Sequence, residues 1–135
     1  KSILHFIPIK YVWYNLLSLL HLTSLHCFDM RVRNIRGTSF CHPKGRRRRT
    51  WKQFWLHHTD REWPSTCRVS YCPKPAKGGA HVEIEGQFGV FIVPMCEQHN
   101  NSENNNWLSG KKGTIGVPVD EGDTTGPPGP CYFYA

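Results

Sequence analysis

Apolar residues are in short supply. They make up 39% of the 135 residues, low for a compact domain, and they crowd towards the N-terminus instead of recurring along the chain. The stretch with globular character, residues 50–119, is close to the size at which a hydrophobic core alone is marginal. Chains of that size commonly rely on a bound metal or on disulfides. Acids are scarce where bases are dense. Residues 31–77 hold thirteen Lys and Arg against Asp60 and Glu62, a local balance of +11 in a chain whose formal net charge is +7. Beyond residue 80 the sequence turns acidic and polar. That asymmetry points to a polyanionic partner, with nucleic acid first and an anionic membrane second.

A long hydrophobic run is also missing. Residues 3–28 are largely apolar, but Pro8 and Lys10 interrupt them and leave about twelve apolar-rich residues, Tyr11 to Leu22. A bilayer span needs about 20. No small-x-small cleavage site follows. Three readings of residues 1–29 stand together. The stretch is a translated leader before a start at Met30, a signal peptide or single-pass anchor with Arg31, Arg33 and Arg36 on the cytoplasmic side, or an integral helix. An intracellular place, nucleus or cytoplasm, is favoured. Secretion or membrane anchorage through residues 3–28 follows if the segment is genuine. At the other end, a single Gly-Pro-Pro-Gly-Pro stretch is far from a collagen repeat. Residues 120–135 are expected to be a disordered tail with Cys131 as a spare thiol.

What is present is a constellation of thiols and imidazoles. Cys67 and Cys72 have four residues between them, Cys96 and His99 have two, and 23 residues separate the pairs. A thiolate-preferring divalent ion wants four such groups in a tetrahedron, commonly offered as two close pairs from two local turns. Cys67, Cys72, Cys96 and His99 are therefore the expected Zn2+ ligands. Three disulfides from six cysteines are the competing reading. Cys27, Cys41 and Cys131 sit in segments of unlike character and carry no assigned role. Between the pairs, Val82 and Ile84 alternate on one arm of a hairpin and Val90 and Ile92 on the other, with Glu85, Gly86 and Gln87 near the turn. Cys96 and His99, three apart, share one face of a helix's first turn. A knuckle, a hairpin and a helix that supplies the second pair make the treble-clef arrangement. The expected fold is thus a small α+β, zinc-stabilised, treble-clef-like module over residues 50–119, preceded by a basic arm over 30–49.

The arm reads as irregular, broken by Gly37, Pro43 and Gly45. Arg46, Arg47, Arg48 and Arg49 run without interruption and suit phosphate contacts or a nuclear-localisation signal, with Lys52 beside them. Thr50 caps an expected amphipathic helix over 50–58. Trp51, Phe54, Trp55 and His58 share one face of it, to pack over the module or, for Trp51 and Trp55, to stack on bases. Cys41, His42, His57 and His58 form a poorer metal constellation. Trp107 and Leu108 are expected to fold back on the hairpin, and residues 113–119 to add an edge strand that Pro118 confines to the edge.

The strings GGAHV (78–82) and FIVPMCEQHN (91–100), preceded by a Cys pair, resemble a small family over about residues 34–119. Its members carry Cys-x4-Cys, Gly-Ala-His-Val and Ile-Val-Pro-Leu-Cys-x-x-His-Asn. Upstream, TWKQFW has Thr50 and Phe54 where those proteins have Ser and His. The wider similarity is to HNH-type treble-clef nucleases. That resemblance implies His81 as a general base on the first hairpin arm, activating water beside a phosphate-bound metal ion. Two departures oppose it. No Asn lies between Val82 and Met95 to orient the base, and Ala80 stands where an Asp precedes it. Four protein ligands would also close the metal site to chemistry. His81 as a packing residue, as a zinc ligand and as a catalytic base all remain open. So do three functions: nucleic-acid binding, HNH-like cleavage, and a structural zinc module for protein interaction.

Overall fold

Strand β3 (Gly78–Ile84) and strand β4 (Val90–Met95) run antiparallel, with Ala80 opposite Val93 and His81 opposite Ile92 in the computed structural model. Residues 29–45, 50–101, 103–126 and 131 are described. The apolar stretch up to residue 28 and the arginines 46–49 lie outside them. The hairpin is the one expected from the alternation. Its turn is closed by the Gln87 amide donating to the Ile84 carbonyl at 3.0 Å. Gly86 and Gly89 hold φ of 77° and 105° there, a region a Cβ would penalise.

Strand β1 (Arg31–Asn34) lies along the free side of β3, and β5 (Leu108–Ser109) along β1. Strand β6 (Val117–Val119) flanks β4, so the main sheet among the described residues runs β5-β1-β3-β4-β6, all antiparallel. Strands β2 (His42–Pro43) and β7 (Thr124–Thr125) form a separate two-stranded ladder. Helix α1 (Trp51–Thr59) is the one α-helix among the described residues, and the architecture is α+β. None of the described helices is long and apolar enough to cross a membrane.

The period-2 alternation of the hairpin sorts its side chains into two layers. Ala80, Val82, Ile84, Phe91, Val93 and Met95 face one side, where they join Val32, Val69 and the three cysteines Cys67, Cys72 and Cys96 in one buried cluster. Ile92 faces the other side, with Val117, Val119 and the helix residues Phe54 and Trp55. Helix α1 therefore covers β3, β4 and β6 on the face away from the cysteines. A capping box fixes its start: the Gln53 amide donates to the Thr50 hydroxyl at 3.2 Å, and the Thr50 amide donates to Gln53 Oε1 at 3.1 Å. The helix sits so close to the sheet that a Cβ on Gly79 would lie 2.5 Å from Ile92 Cγ2 and 2.8 Å from Trp51 Cβ. Glycine is required there by the closeness of the backbones. Of the expected helix face, Phe54 and Trp55 are buried and Trp51 is half-buried, whereas His58 is exposed with its ring 4.3 Å from that of Phe54.

Four local expectations are corrected. First, Arg31–Asn34 is an inner strand of the sheet, not an irregular arm, because Val32 and Asn34 bury while the arginines alternating with them find acids on β3 and at its end. Arg33 pairs with Glu83, directly opposite, and Arg31 with Glu85 at 3.2 Å. Second, Leu108 does pack on the hairpin's buried layer and Trp107 does line a hollow with the hairpin turn, but Leu108 arrives by extending the sheet beside β1. The Trp107 ring lies under Arg33 and Arg31, at 4.7 and 5.8 Å from their guanidinium carbons. Third, residues 120–126 carry a 3-10 turn (Glu121–Asp123) and β7, and Cys131 is disulfide-bonded to Cys41. Cys131 is not a spare thiol, and Cys41 is withdrawn from any cluster with His42, His57 and His58. Fourth, Cys96 to Asn100 is a single turn closed by the Asn100 amide on the Cys96 carbonyl at 2.8 Å, in place of the expected helix. The edge position of β6, with Pro118 exposed, agrees with expectation.

Candidate metal centre

The loop from Thr66 to Pro75 folds back on itself. The Cys67 amide donates to the Lys74 carbonyl at 2.8 Å, and the Cys72 amide to the Val69 carbonyl at 3.2 Å. Tyr71 closes the loop with φ of 62° and its ring wholly in solvent. That backbone region is unusual for an aromatic residue and costs energy. The loop is tied to the end of β4 by the Arg68 amide on the Pro94 carbonyl at 3.0 Å and the Lys77 amide on the Met95 carbonyl at 2.9 Å. Cys96 follows directly, so the two ligand pairs come together at the mouth of the hairpin.

There the ligand atoms of Cys67, Cys72, Cys96 and His99 all lie within 4.8 Å of one another. His99 Nδ1 is 3.4 Å from Cys67 Sγ and 3.3 Å from Cys96 Sγ, and Cys72 Sγ is 3.9 Å from Cys96 Sγ. A tetrahedral ion with arms of about 2.3 Å to sulfur and about 2.0–2.1 Å to nitrogen needs S···S edges near ~3.8 Å and S···N edges near ~3.6 Å. The S···S edge of 3.9 Å matches, the two S···N edges are about 0.2–0.3 Å shorter, and every pair of the four atoms lies within 4.8 Å. The three cysteines are buried and His99 half-buried, so the group could hold a metal ion largely screened from water. Burial pushes the Cys67 thiol up to about 11. Burial also works against ionising Cys96, but hydrogen bonds from the His99 backbone and the neighbouring thiols hold its pKa below the ordinary thiol value. The His99 imidazole is lowered by burial, then by the Lys74 charge. A cation entering such a cluster displaces protons.

Several residues that brace the centre carried no signal in the sequence. Lys111 Nζ donates to the Cys72 carbonyl at 2.6 Å and to the Thr66 hydroxyl at 3.0 Å, pinning the first loop. Arg68 reaches Thr114 Oγ1 at 3.2 Å and the Lys112 carbonyl at 2.8 Å. Asn34, buried on β1, donates from Nδ2 to the carbonyls of His99 and Asn104, the latter at 3.0 Å. A buried amide satisfied by two carbonyls, one of them in the Cys96–Asn100 turn, fixes where that turn sits.

His81 is not among the grouped ligands. It lies on the opposite, helix-facing side of β3, 5% exposed, with its ring 4.4 Å from that of Trp51 at 82°. Burial pushes its pKa down to about 4, so the imidazole is neutral at physiological pH. It forms part of a cavity of about 650 Å3 whose wall also includes Asn34, Trp51, Lys52, Lys77 and Asn100. Lys52 is exposed, with its ammonium 5.3 Å from the Trp63 ring. The structure thus assembles the four expected ligands and keeps His81 apart from them. Compared with protein-family models, curated proteins and solved structures, the chain matches none of them.

Proposed function

We propose that Cys67, Cys72, Cys96 and His99 hold one structural Zn2+ in a treble-clef-like frame, and that this frame presents a basic surface to nucleic acid. The observation that carries the reading is the convergence of three buried thiols and one half-buried imidazole, with all four ligand atoms within 4.8 Å of one another. Three thiolates and one imidazole select zinc over harder divalent ions. Four protein ligands leave no open position, so the ion stabilises the fold and does no chemistry.

The nucleic-acid half of the reading rests on charge. Among the described bases, Arg31, Arg33, Arg68 and Lys111 are engaged within the fold. The uninterrupted run Arg46, Arg47, Arg48 and Arg49, with Lys52, is the densest basic stretch left for phosphate. Pro43 and Thr50, on either side of that run, both line the cavity wall near Lys52. Replacing all four arginines by Gln is expected to weaken oligonucleotide binding at least about tenfold near 0.1 M salt. It should also reduce the slope of log affinity against log salt by up to about 3–4, at ~0.9 for each phosphate no longer neutralised. Unchanged affinity and slope would remove the arm from the interface.

A second reading, an HNH-like nuclease with His81 as base, is favoured by one observation: His81 and Asn100 line the same cavity. Against it, no Asp or Glu is among the described residues lining that cavity, so a catalytic divalent ion would lack carboxylate ligands. Metal-dependent cleavage lost in His81→Ala, with folding retained, would favour the nuclease over the binder.

A further inference from the structure

We propose that the cavity between β1, β3, the start of α1 and the Cys96–Asn100 turn binds one nucleotide-sized ligand bearing a phosphate ester. This deepens the nucleic-acid reading and rests on it. At about 650 Å3 the space suits a single small molecule or one nucleotide unit of a strand, and is far too small for a duplex.

Its chemistry is selective. Lys52 and Lys77 stand in the lining, and no acid is among the described residues that share it, so the field inside favours an anion. The remaining polar surface is amide, hydroxyl and imidazole, from Asn34, Ser39, Asn100 and His81 among others. Such groups both donate to and accept from sugar hydroxyls and base edges. Because His81 is neutral, the floor adds no charge, and the positive field is concentrated at the two lysines. Both ammonium groups now make solvent-exposed contacts, Lys77 with Glu97 at 3.4 Å and Lys52 over Trp63. Exposed contacts of this kind are weak, and redirecting either lysine to a phosphate costs little. Trp51 supplies an aromatic wall, fixed in place by its indole N–H on the Cys41 carbonyl at 2.8 Å.

The cavity is also built by the metal centre. Asn100, one residue after the ligand His99, forms part of its wall, and Asn34 joins that wall to the His99 carbonyl. The turn that carries His99 therefore also shapes the cavity.

The ligand has two sources of the same chemistry, a free nucleoside monophosphate or the phosphorylated end of a single strand. Titration calorimetry on the metal-loaded full chain distinguishes them, with adenosine 5′-monophosphate, adenosine, and oligonucleotides with and without a terminal phosphate as probes. Gly78 offers a plug that keeps the fold, since a Cβ there meets only Asn100 Nδ2 at 3.7 Å. Saturable binding of the monophosphate is expected, at least about tenfold tighter than adenosine. It should weaken by a similar factor in Gly78→Val and in Lys77→Glu, with metal content and unfolding midpoint unchanged. If the strand end is the natural source, the terminal phosphate strengthens oligonucleotide binding and the monophosphate competes for it. If the free nucleotide is, the terminal phosphate makes no difference. No saturable monophosphate binding, or wild-type binding in both variants, overturns the proposal. A salt slope and oligonucleotide affinity left unchanged by replacing the four arginines, with monophosphate binding intact, would instead sink the nucleic-acid reading and spare the cavity.

Discussion

Cys96→Ala, or a strong chelator added to the wild-type chain, is expected to abolish the cooperative fold at 25 °C. Apparent binding free energies of structural zinc sites near neutral pH are roughly 10–16 kcal/mol. Whole domains are stable by only about 5–15 kcal/mol, so removing the ion leaves little or nothing. The centre is not an appendage here. Cys67, Cys72 and Cys96 belong to the same buried cluster as Val32, Val82, Ile84, Val93 and Met95. Without the ion, the thiols must stay protonated or face one another as charges inside an apolar layer. Circular dichroism and proton NMR read the outcome directly. Tyr71→Ala, which alters an exposed side chain beside the same ligands, is the matched control and should keep dispersed spectra. A folded, metal-free Cys96→Ala chain would remove the central claim.

Cys131→Ser is expected to lower stability by about 4 kcal/mol. The bond to Cys41 spans 90 residues of sequence, and cross-linking so distant a pair restricts the unfolded ensemble strongly, by up to about 4.5 kcal/mol on the chain-entropy account. The folded side points the same way. Without the bond, β7 is left to hold β2 through a two-residue ladder and the Lys44 amide on the Asp123 carbonyl at 2.7 Å. Urea unfolding of the metal-loaded oxidised protein measures the loss. Cys41→Ser and the double replacement should match Cys131→Ser, because all three delete one bond. A shift below about 1 kcal/mol would mean that residues 120–131 contribute little to the folded state.

The parts of this molecule that were legible in its sequence are those encoded locally. Thr50 and Gln53 stand at capping-box spacing and Phe54-Trp55 follow on one face, so α1 announces itself. Val82 and Ile84 mirror Val90 and Ile92 around a glycine-bearing turn, so the hairpin does too. The pairs Cys67/Cys72 and Cys96/His99 are visible as close spacings, and the hairpin between them explains how the four side chains meet. What stayed hidden depends on partners far away in sequence. Arg-Val-Arg-Asn is too short and too polar to read as an inner strand until Glu83 and Glu85 are placed opposite its arginines. The Cys41–Cys131 bond joins two segments of unlike composition, with no spacing rule to connect them. Asn34 has no motif at all, since its role comes from two carbonyls that sequence does not mark. The second ligand pair misled for a different reason. A spacing of three suits a helix, but it suits one closed turn equally, and the Asn-rich stretch after it gives no reason to continue.

Metal analysis combined with cysteine mapping tests the account most directly. The purified chain should carry one zinc, with Cys67, Cys72 and Cys96 refractory to alkylation until a chelator is added. Cys41 and Cys131 should be recovered as one disulfide-linked peptide pair. A metal-free, folded chain in which Cys72 is oxidised to Cys96 would contradict it, and the buried cluster would then be a disulfide with a spectator histidine.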